Sequence, residues 1–337
     1  MYIFQQILLA LGGITLFLYG LKLMSDNMES LAGDKMKNLL YSCTKNKYLG
    51  VLTGAFTTAV IQSSIATNVI LVGFVSNGIM SFYQASAVIM GANIGTTMTA
   101  QLVSLSGEEF FDITSIGALI AFIGFIVSFI KSGKCQEIGG VMLGFGMLFF
   151  GLDVISNTVS FFKTLESFRS IFLVKNDLIL LLNGIIITGI VQSSSAVTSV
   201  MIILASNGLL SFESSMFIIL GANIGTCLSV IVCAMGRPVE ARRTAVFNLA
   251  FNLFGSLILL VPLSIFKTQI ANVFLSFSGT IERQIANFHT IFNLFVTIIL
   301  LPLLKPFTNL ISKLITNKEY SKIKKSTKSA KIYLSSQ

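Results

Sequence analysis

The sequence predicts an all-α polytopic membrane protein with two inverted-topology repeats, each containing a re-entrant helical hairpin. The chain of 337 residues is 54% hydrophobic and only 11% charged, and its mean hydropathy is +0.85. Soluble domains carry about 25% charged residues, so this composition excludes an ordinary soluble protein. In addition, one polar motif occurs twice, and each copy lies at the centre of an uncharged apolar segment.

The internal repeat spans most of the chain. Gln62-Ser63-Ser64 recurs 130 residues later as Gln192-Ser193-Ser194. Further matches at offsets of 130 or 131 residues are Tyr19-Gly20-Leu21 with Phe150-Gly151-Leu152, Ser76-Asn77-Gly78 with Ser206-Asn207-Gly208, and Gly91-Ala92-Asn93-Ile94-Gly95-Thr96 with Gly221-Ala222-Asn223-Ile224-Gly225-Thr226. Such a repeat defines the organisation of a chain before any fold is proposed. It predicts a first transmembrane repeat at 1–131, a second with extra C-terminal helices at 132–304, and a tail at 305–337.

Apolar runs of about 20 residues are long enough to cross a hydrocarbon core of about 30 Å. Seven runs are predicted to be full crossings: 7–24, 83–105, 113–130, 138–155, 212–235, 244–266 and 288–304. The first run has no basic segment before it and no distinct cleavage site, so we expect a membrane helix there and not a signal peptide. The charged segments 26–47 and 160–177 are expected to be helices in the membrane interface.

Two uncharged segments, 48–78 and 178–207, carry the repeated motif at their centres. Each has about 30 residues, which is too few for two crossings and a turn. We therefore predict re-entrant hairpins with tips near the membrane midplane, where non-helical backbone must be buried in protein or line a wet cavity. Three crossings then separate the starts of the two repeats. Because that number is odd, the second repeat is inverted, as in many alternating-access transporters.

The charge of the chain is concentrated at its C-terminus, where eight Lys and one acidic residue, Glu319, follow from Lys305 onward. A basic tail after an apolar helix predicts a cytoplasmic C-terminus near anionic lipid in the plasma membrane, and not a nucleic-acid arm. The loop with Glu108, Glu109 and Asp112 is then placed outside the cell. The four cysteines lack the spacing of a metal or redox site.

A small hydrated ion that enters a membrane site must exchange its water for protein oxygens and donors. The predicted hairpin tips supply both, through Gln62, Ser63, Ser64, Gln192, Ser193, Ser194 and Ser195. Asn93, Thr96, Asn223 and Thr226 would add a second polar layer from two glycine-containing helices. The glycines Gly91, Gly95, Gly221 and Gly225 are expected to be either helix breaks or close-packing points. Neither hairpin contains a charged residue. A bound dianion would therefore be costly without co-bound sodium ions, and this cost gives ion coupling a physical reason.

At these residues the sequence resembles the type II sodium/phosphate cotransporter family. The resemblance covers about residues 5–305. It rests on both Gln-Ser-Ser motifs, both Gly-Ala-Asn-Ile-Gly-Thr runs, Ala241-Arg242-Arg243, Phe251-Asn252 and the run from Ile285 to Asn293. The resemblance implies sodium-dependent symport of inorganic phosphate, with a lipid bilayer as surroundings, no enzymatic activity, and no cofactor beyond sodium as coupling ion.

The predicted ligands follow from the motifs and from this resemblance. Those expected to bind phosphate are Gln62, Ser63, Ser64, Gln192, Ser193, Ser194, Asn93 and Asn223. Those expected to bind sodium are Gln62, Thr67, Gln192, Ser195, Thr198, Thr96 and Thr226. Two positions depart from the family pattern: Ile65 stands where a third serine is common, and Asn248 where a histidine is common. Many bacterial members carry a domain resembling the phosphate-signalling protein PhoU after the membrane part, and we expect no regulation through such a domain here.

Several alternatives remain open from the sequence. The cargo is phosphate or another small oxyanion such as arsenate, a phosphonate or a carboxylate, and the motifs are also compatible with a non-transporting scaffold in which they only pack helices. His289 is expected to pack or cap and not to couple protons, and Asp153 to be solvated. An enzyme is disfavoured because no catalytic triad, metal cluster or phosphate loop is present in the sequence. The stoichiometry, transport direction and oligomeric state are not determined.

Overall fold

Helices make up nearly all of the chain in the computed structural model, which describes residues 2–43, 46–107, 112–130, 132–172 and 176–316. Within these ranges the helices are α1 (Tyr2–Cys43), α2 (Lys47–Ile61), α3 (Ser64–Ser76), α4 (Phe82–Val103), α5 (Ile113–Ser128), α6 (Gly133–Phe162), α7 (Glu166–Ile171), α8 (Asp177–Val191), α9 (Ser194–Ser206), α10 (Phe212–Ala234), α11 (Val239–Ser278), α12 (Ile281–Leu300) and α13 (Leu304–Leu314). A 3₁₀ turn, Ser104–Gly107, lies between α4 and α5.

The prediction of an all-α polytopic membrane protein is confirmed. Five of the described helices, α1, α4, α6, α10 and α11, are long and apolar enough to cross a membrane. A sixth crossing is present if α12 and α13, which are bent by 83° relative to each other, count as one span. Helix α5 overlaps the predicted crossing at 113–130 but has only 16 residues. By length and composition the described helices therefore provide fewer spans than the seven predicted.

Two predicted boundaries were wrong, both at the charged segments. Residues 26–43 are not a separate interfacial helix but continue α1, which is 42 residues long, because no proline or other strong helix breaker follows the apolar run. Residues 160–162 likewise continue α6. The predicted tail begins with α13, a helix tied to α11 because the Arg243 guanidinium donates to the carbonyl oxygens of Ser312 and Ile315. Residues 317–337 and the acidic residues Glu108 and Glu109 lie outside the described residues.

The predicted hairpins appear as two helix pairs with the same layout. Helices α2 and α3 meet at Gln62, and α8 and α9 meet at Gln192. In each repeat the first arm of the hairpin packs in parallel against the long helix that follows it. In repeat one, Gly50 faces Ala87 and Gly95 faces Ala55, so residue numbers rise together along α2 and α4. Because both helices run the same way, α3, which connects them in the sequence, must run in the opposite direction.

The second repeat shows the same parallel seam. Gly184 faces Ile218, and Gly225 faces Ile185 and Thr188, so α8 and α10 also run side by side in the same direction. The glycines allow the two backbones of each seam to touch, as small residues do in membrane helix packing. Of the two alternatives predicted for these glycines, helix breaks or close-packing points, the breaks are wrong, because α4 and α10 are continuous through Gly91, Gly95, Gly221 and Gly225. The glycines are packing positions instead.

The first helices of the two repeats, α1 and α6, pack against each other in antiparallel orientation. Gly20 faces Leu148, and Gly151 faces Phe17. Since Gly151 is the repeat partner of Gly20, and Leu148 that of Phe17, the two contacts are equivalent and related by a local two-fold axis. The hydrophobic core continues from this pair across both hairpins to α11 and α12. This arrangement places α1 beside both hairpin tips.

Candidate functional site

Both hairpins break at the glutamine of the repeated motif. Gln62 has φ 60° and ψ 19°, and Gln192 has φ 58° and ψ 26°, which is the left-handed conformation. They are the only non-glycine residues with positive φ in the described chain. In each case the glutamine N–H still donates to the carbonyl oxygen four residues earlier, on Thr58 or Thr188, at 2.7 Å. The same strained turn therefore ends the first arm of each hairpin.

The serine after each glutamine begins the second arm of its hairpin. Ser63 Oγ accepts from the Ala66 N–H at 3.1 Å, and Ser193 Oγ accepts from the Ala196 N–H at 3.2 Å. These are N-cap hydrogen bonds, and each satisfies one of the donors at a helix start. The N–H groups of the first two residues of each arm, Ser64 and Ile65 in one and Ser194 and Ser195 in the other, have no hydrogen-bond partner among the described residues. The N-termini of α3 and α9 thus present free donors and the positive end of a helix dipole, an arrangement suited to anions.

The two tips converge on a single cavity of about 360 Å³, which we call the tip cavity. Both N-termini face it, because the N-cap and the two residues after it line the cavity in each repeat. The lining residues from the tips and α10 are Gln62, Ser63, Ser64, Ile65, Val191, Gln192, Ser193, Ser194, Ser195 and Thr226. The structure therefore brings together tip residues that lie 130 positions apart in the sequence.

The two glutamines of the tip cavity are held differently. Gln62 Oε1 accepts from Thr99 Oγ1 at 2.7 Å, and its Nε2 donates to the Ala59 carbonyl oxygen. Gln192 is exposed to the cavity, and its side-chain amide makes no hydrogen bond with the described residues. The second tip also reaches across to the first repeat, where Ser195 Oγ donates to the Thr96 carbonyl oxygen at 3.5 Å. The tips are thus related in backbone shape but not in side-chain contacts.

Helix α1 contributes polar residues to the tip cavity that the sequence analysis did not identify. Lys22, Ser25 and Asp26 line it together with Leu18 and Leu21. Fixed charges therefore line the tip cavity, although both hairpins are uncharged. These residues come from another segment, and no local pattern connects that segment with the hairpins. The available signal was the occurrence of Lys22 and Asp26 at the end of an apolar run, where charges are usually ascribed to solvation.

A small enclosed chamber of about 10 Å³, which we call the amide chamber, lies beside the tip cavity. This volume corresponds to roughly one water molecule or a small ion. Five helices contribute its lining residues, which are Ser64, Asn68, Asn93, Thr96, Ser194, Asn223, Thr226, Cys227, Asn248 and Asn252. Ser64, Ser194 and Thr226 also line the tip cavity. The two spaces therefore share three hydroxyl groups, and among the described residues no charged side chain lines the amide chamber.

Some amide atoms in the chamber wall lack a hydrogen-bond partner. Asn68 Oδ1, Asn252 Oδ1 and Asn223 Nδ2 are buried and unpaired among the described residues. An unpaired buried polar atom costs about 1–3 kcal/mol, so a cation that bound the two amide oxygens would be strongly favoured, whereas the Asn223 amide nitrogen, a donor, would need a water or an anion. Free carbonyl oxygens beside hydroxyls are the ligands that hard cations such as sodium prefer. The donor set therefore fits a dehydrated monovalent cation.

The remaining predicted residues fall into two groups. Asn93 Nδ2 donates to Asn248 Oδ1 at 3.5 Å, and Asn223 Oδ1 lies 3.2 Å from His289 Nε2. His289 is 1% exposed and lines neither space, so it orients a chamber residue, in keeping with the predicted packing role. Thr67 and Thr198 are fully buried and line neither space. Asn68, Asn252 and Cys227 were not predicted as ligands, and their positions in apolar helices gave little signal.

Comparison with known proteins connects this geometry with a family. A family model described as Na⁺/Pi-cotransporter matches residues 16–157 and 164–281. The uncharacterized protein YqeW of Bacillus subtilis is 28% identical over 246 residues, which cover 72% of this chain and 78% of YqeW. The putative inorganic phosphate export protein YjbB of Escherichia coli is 28% identical over 254 residues, or 74% of this chain and 46% of YjbB.

A human relative shares a shorter region. Sodium-dependent phosphate transport protein 2B is 34% identical over 103 residues, which are 30% of this chain and 15% of that protein. No solved structure matches the chain. The family model, in contrast, covers both hairpins and most of the helices around them. The chain therefore belongs to the Na⁺/Pi-cotransporter family, whose members are transport proteins and not enzymes.

Proposed function

We propose that the protein is a sodium-coupled symporter of inorganic phosphate and that the phosphate binds in the tip cavity. The observation that carries this proposal is the convergence of two helix N-termini, with their serines, on one cavity. Phosphate oxygens accept hydrogen bonds from free N–H groups and hydroxyls at such helix starts. The unbonded Gln192 amide supplies a further donor. Lys22 and Asp26 both line the cavity and together add no net charge, so co-bound sodium supplies the balancing positive charge.

The amide chamber is the proposed site of a sodium ion. Its free carbonyl oxygens and hydroxyls would replace the water lost by the ion, and the absence of a carboxylate in its lining disfavours divalent cations. Ser64, Ser194 and Thr226 line both spaces, so the cation would lie close to the phosphate. Opposite charges at this separation stabilise each other strongly in a low-dielectric interior. This mutual stabilisation would couple the binding of the two ions.

We further propose that the repeats are inverted and that the tips lie near the membrane midplane. The antiparallel packing of α1 and α6, together with the parallel seams inside each repeat, supports this proposal. A site between inverted repeats can open to either side when one repeat rocks against the other. The basic C-terminal region is assigned to the cytoplasm by the positive-inside rule. On this assignment the plasma membrane is the site of action.

The names of two relatives agree with this cargo and differ in emphasis. The human relative is named for sodium-dependent phosphate transport, and the Escherichia coli relative for putative phosphate export. A symporter runs in whichever direction the combined gradients favour. Both directions are therefore compatible with one mechanism, and measurements with reversed gradients would distinguish them.

A flux assay tests the proposal directly. Purified protein in liposomes should take up labelled phosphate with an inward sodium gradient, and should not do so when choline replaces sodium. Ser194→Ala and Gln192→Ala each remove a donor to a charged ligand, which is worth about 1.5–3 kcal/mol, so the phosphate affinity should fall by about 10–100-fold. Ser132→Ala is the control, because Ser132 makes no capping hydrogen bond at the start of α6.

Two results would contradict the proposal. Uptake that is equal in sodium and choline would remove the coupling ion from the mechanism. Uptake of a labelled phosphonate or carboxylate that phosphate fails to compete with would assign another cargo to the tip cavity.

A further inference from the structure

A second polar cavity, which we call the acidic cavity, has a volume of about 330 Å³. It lies where α5 and α12 begin, and α6 and the end of α9 form its wall. Three carboxylates line it, those of Asp112, Asp153 and Glu282, together with four hydroxyls, those of Ser106, Thr114, Ser156 and Ser206. Among the described residues, no Lys or Arg lines it. The cavity therefore has a strongly negative lining.

The acidic cavity and the tip cavity are lined by equivalent positions of the two repeats. Leu18, Leu21, Lys22 and Ser25 of α1 line the tip cavity, and Phe149, Leu152, Asp153 and Ser156 of α6 line the acidic cavity. Each residue of the second set follows its counterpart by 131 positions. The same face of the repeated helix is thus used twice, with a cation at one position and an anion at its equivalent.

Because α1 and α6 are antiparallel, the two cavities lie at different levels along the axis of this helix pair. Since Gly20 faces Leu148 and Gly13 faces Ile155, Asp153 lies level with about residue 15 of α1. At 1.5 Å per residue, Asp153 is then roughly 10 Å from Lys22 along the helix axis. The acidic cavity therefore lies toward the end of the helix pair opposite to the one that the tip cavity approaches.

Glu282 provides independent evidence for a ligand. Its side chain is 9% exposed, and it has no hydrogen bond and no ion pair with the described residues. A Cβ atom on Gly107 would lie 2.6 Å from Glu282 Oε2, so the 3₁₀ turn closes one side of this carboxylate. Its place in the first turn of α12 favours the negative charge. An unpaired carboxylate that belongs to a buried residue and faces a cavity favours a cation or ordered water as its partner.

The other two carboxylates are held in place but keep oxygens for a ligand. Asp112 caps α5, where Oδ1 accepts from the Ser115 N–H at 3.1 Å and Oδ2 from the Ser115 hydroxyl. These hydrogen bonds lower the pKa of Asp112 and keep it ionised. Asp153 Oδ2 accepts from Asn157 Nδ2 at 3.1 Å. The negative charge of the cavity is therefore fixed in position.

We propose that the acidic cavity binds and concentrates hydrated sodium ions toward the end of the α1–α6 pair that lies opposite to the tip cavity. The proposal rests on the sodium-coupled transport proposed above. The described residues contain no group of three or more His, Cys, Asp or Glu side chains that would hold one metal ion, so the carboxylates act together as a field and not as a chelate. Clefts lined by one sign of charge raise the local counter-ion concentration by about 10–1,000-fold.

Thiol chemistry tests the local field without relying on transport. Ser156→Cys places a thiol in the acidic cavity, and Ser25→Cys places one at the equivalent position of the tip cavity. Each thiol reacts with a cationic and an anionic methanethiosulfonate reagent, and the ratio of the two rates reports the local potential. At Ser156→Cys the cationic reagent should be favoured by about tenfold relative to a free thiol. At Ser25→Cys, beside Lys22 and Asp26, the ratio should be close to one.

Substitutions of the carboxylates complete the experiment. Asp153→Asn with Glu282→Gln should lower the ratio at Ser156→Cys by about tenfold and leave Ser25→Cys unchanged. Asp153→Asn alone, a change at a partly buried position, should lower it by about threefold. Sodium should slow the cationic reagent more than choline does at equal ionic strength, because the bulkier choline cation approaches the carboxylates less closely. A ratio near one at Ser156→Cys, or equal effects of sodium and choline, would overturn the proposal. If the rate ratios are as expected but the protein without these substitutions shows no sodium-driven uptake, the proposed function is contradicted and the cation-concentrating role of the acidic cavity is not.

Discussion

The seam between the first hairpin and α4 can be tested at one glycine. In the structure, a Cβ atom on Gly91 would lie 1.9 Å from the Val51 carbonyl oxygen and 2.8 Å from the Ala55 nitrogen. Both atoms belong to the backbone of α2, so no side chain can turn away to make room. Gly91→Ala therefore requires the two helices to separate. Ordinary contact begins at 3.4 Å, which means a separation of about 1.5 Å.

The cost of this separation can be compared with the intrinsic gain. Overpacking usually costs about 1–3 kcal/mol, and a rigid backbone clash lies at the upper end of that range. Alanine is better than glycine in a helix interior by about 1 kcal/mol. Gly91→Ala should therefore lower the free energy of unfolding by about 2 kcal/mol. The variant should also lose phosphate uptake, because the tip of the displaced hairpin lines the tip cavity.

Thermal unfolding in detergent, followed by size-exclusion chromatography, measures the change in stability. Gly73→Ala in α3 is the matched control, because a Cβ atom there meets nothing within 4 Å. It should raise the stability slightly through helix propensity. Gly221→Ala should behave like Gly91→Ala, since its Cβ would lie 2.0 Å from the Leu181 carbonyl oxygen. If Gly91→Ala proves as stable as Gly73→Ala, the close backbone seam does not exist as described.

Two further substitutions test the roles of individual polar groups. Asn252→Leu removes an unpaired amide oxygen from the amide chamber, a contact worth about 1.5 kcal/mol to a charge, and should raise the sodium concentration needed for half-maximal uptake by about tenfold. The control Asn183→Leu changes an amide at the apolar groove between α1, α8 and α9 and should leave that concentration unchanged. Equal sodium dependence of the two variants would exclude the chamber as the coupling site. Thr99→Val removes the 2.7 Å hydrogen bond to Gln62, worth about 1 kcal/mol, and should weaken phosphate affinity about fivefold. An unchanged half-saturation concentration for phosphate would show that Gln62 does not need this anchor.

The internal repeat predicted the hairpins well because it concerns local structure. A glutamine followed by serines breaks a helix in the same way at Gln62 and Gln192, since the left-handed turn and the N-cap need only neighbouring residues. Hydrophobic composition similarly identified the membrane class, because crossing a bilayer imposes a length and a polarity on each helix. The predicted helix ends were wrong where a helix continues from an apolar run into a charged segment, as at the end of α1.

The composition of the site depended on contacts between distant segments. Lys22 and Asp26 look like the solvated end of an apolar run, and only the packing of α1 beside both tips shows that they line the tip cavity. Asn68 and Asn252 are isolated amides in apolar helices, and their unpaired oxygens become meaningful only when α3 and α11 meet. No local pattern records such meetings, because they result from the packing of whole helices.

The sequence by itself determined the membrane class, the repeat and the positions of the helix breaks, because each depends on composition or on a few adjacent residues. Tertiary structure decided that α1 and α6 cross in opposite directions, that the seams of glycines are parallel, and that equivalent faces line two cavities of different charge. These features arise from close backbone contacts between segments more than 100 residues apart, such as Gly20 with Leu148. The energy of such contacts depends on how the surfaces of two helices fit together, and local sequence patterns do not predict this fit.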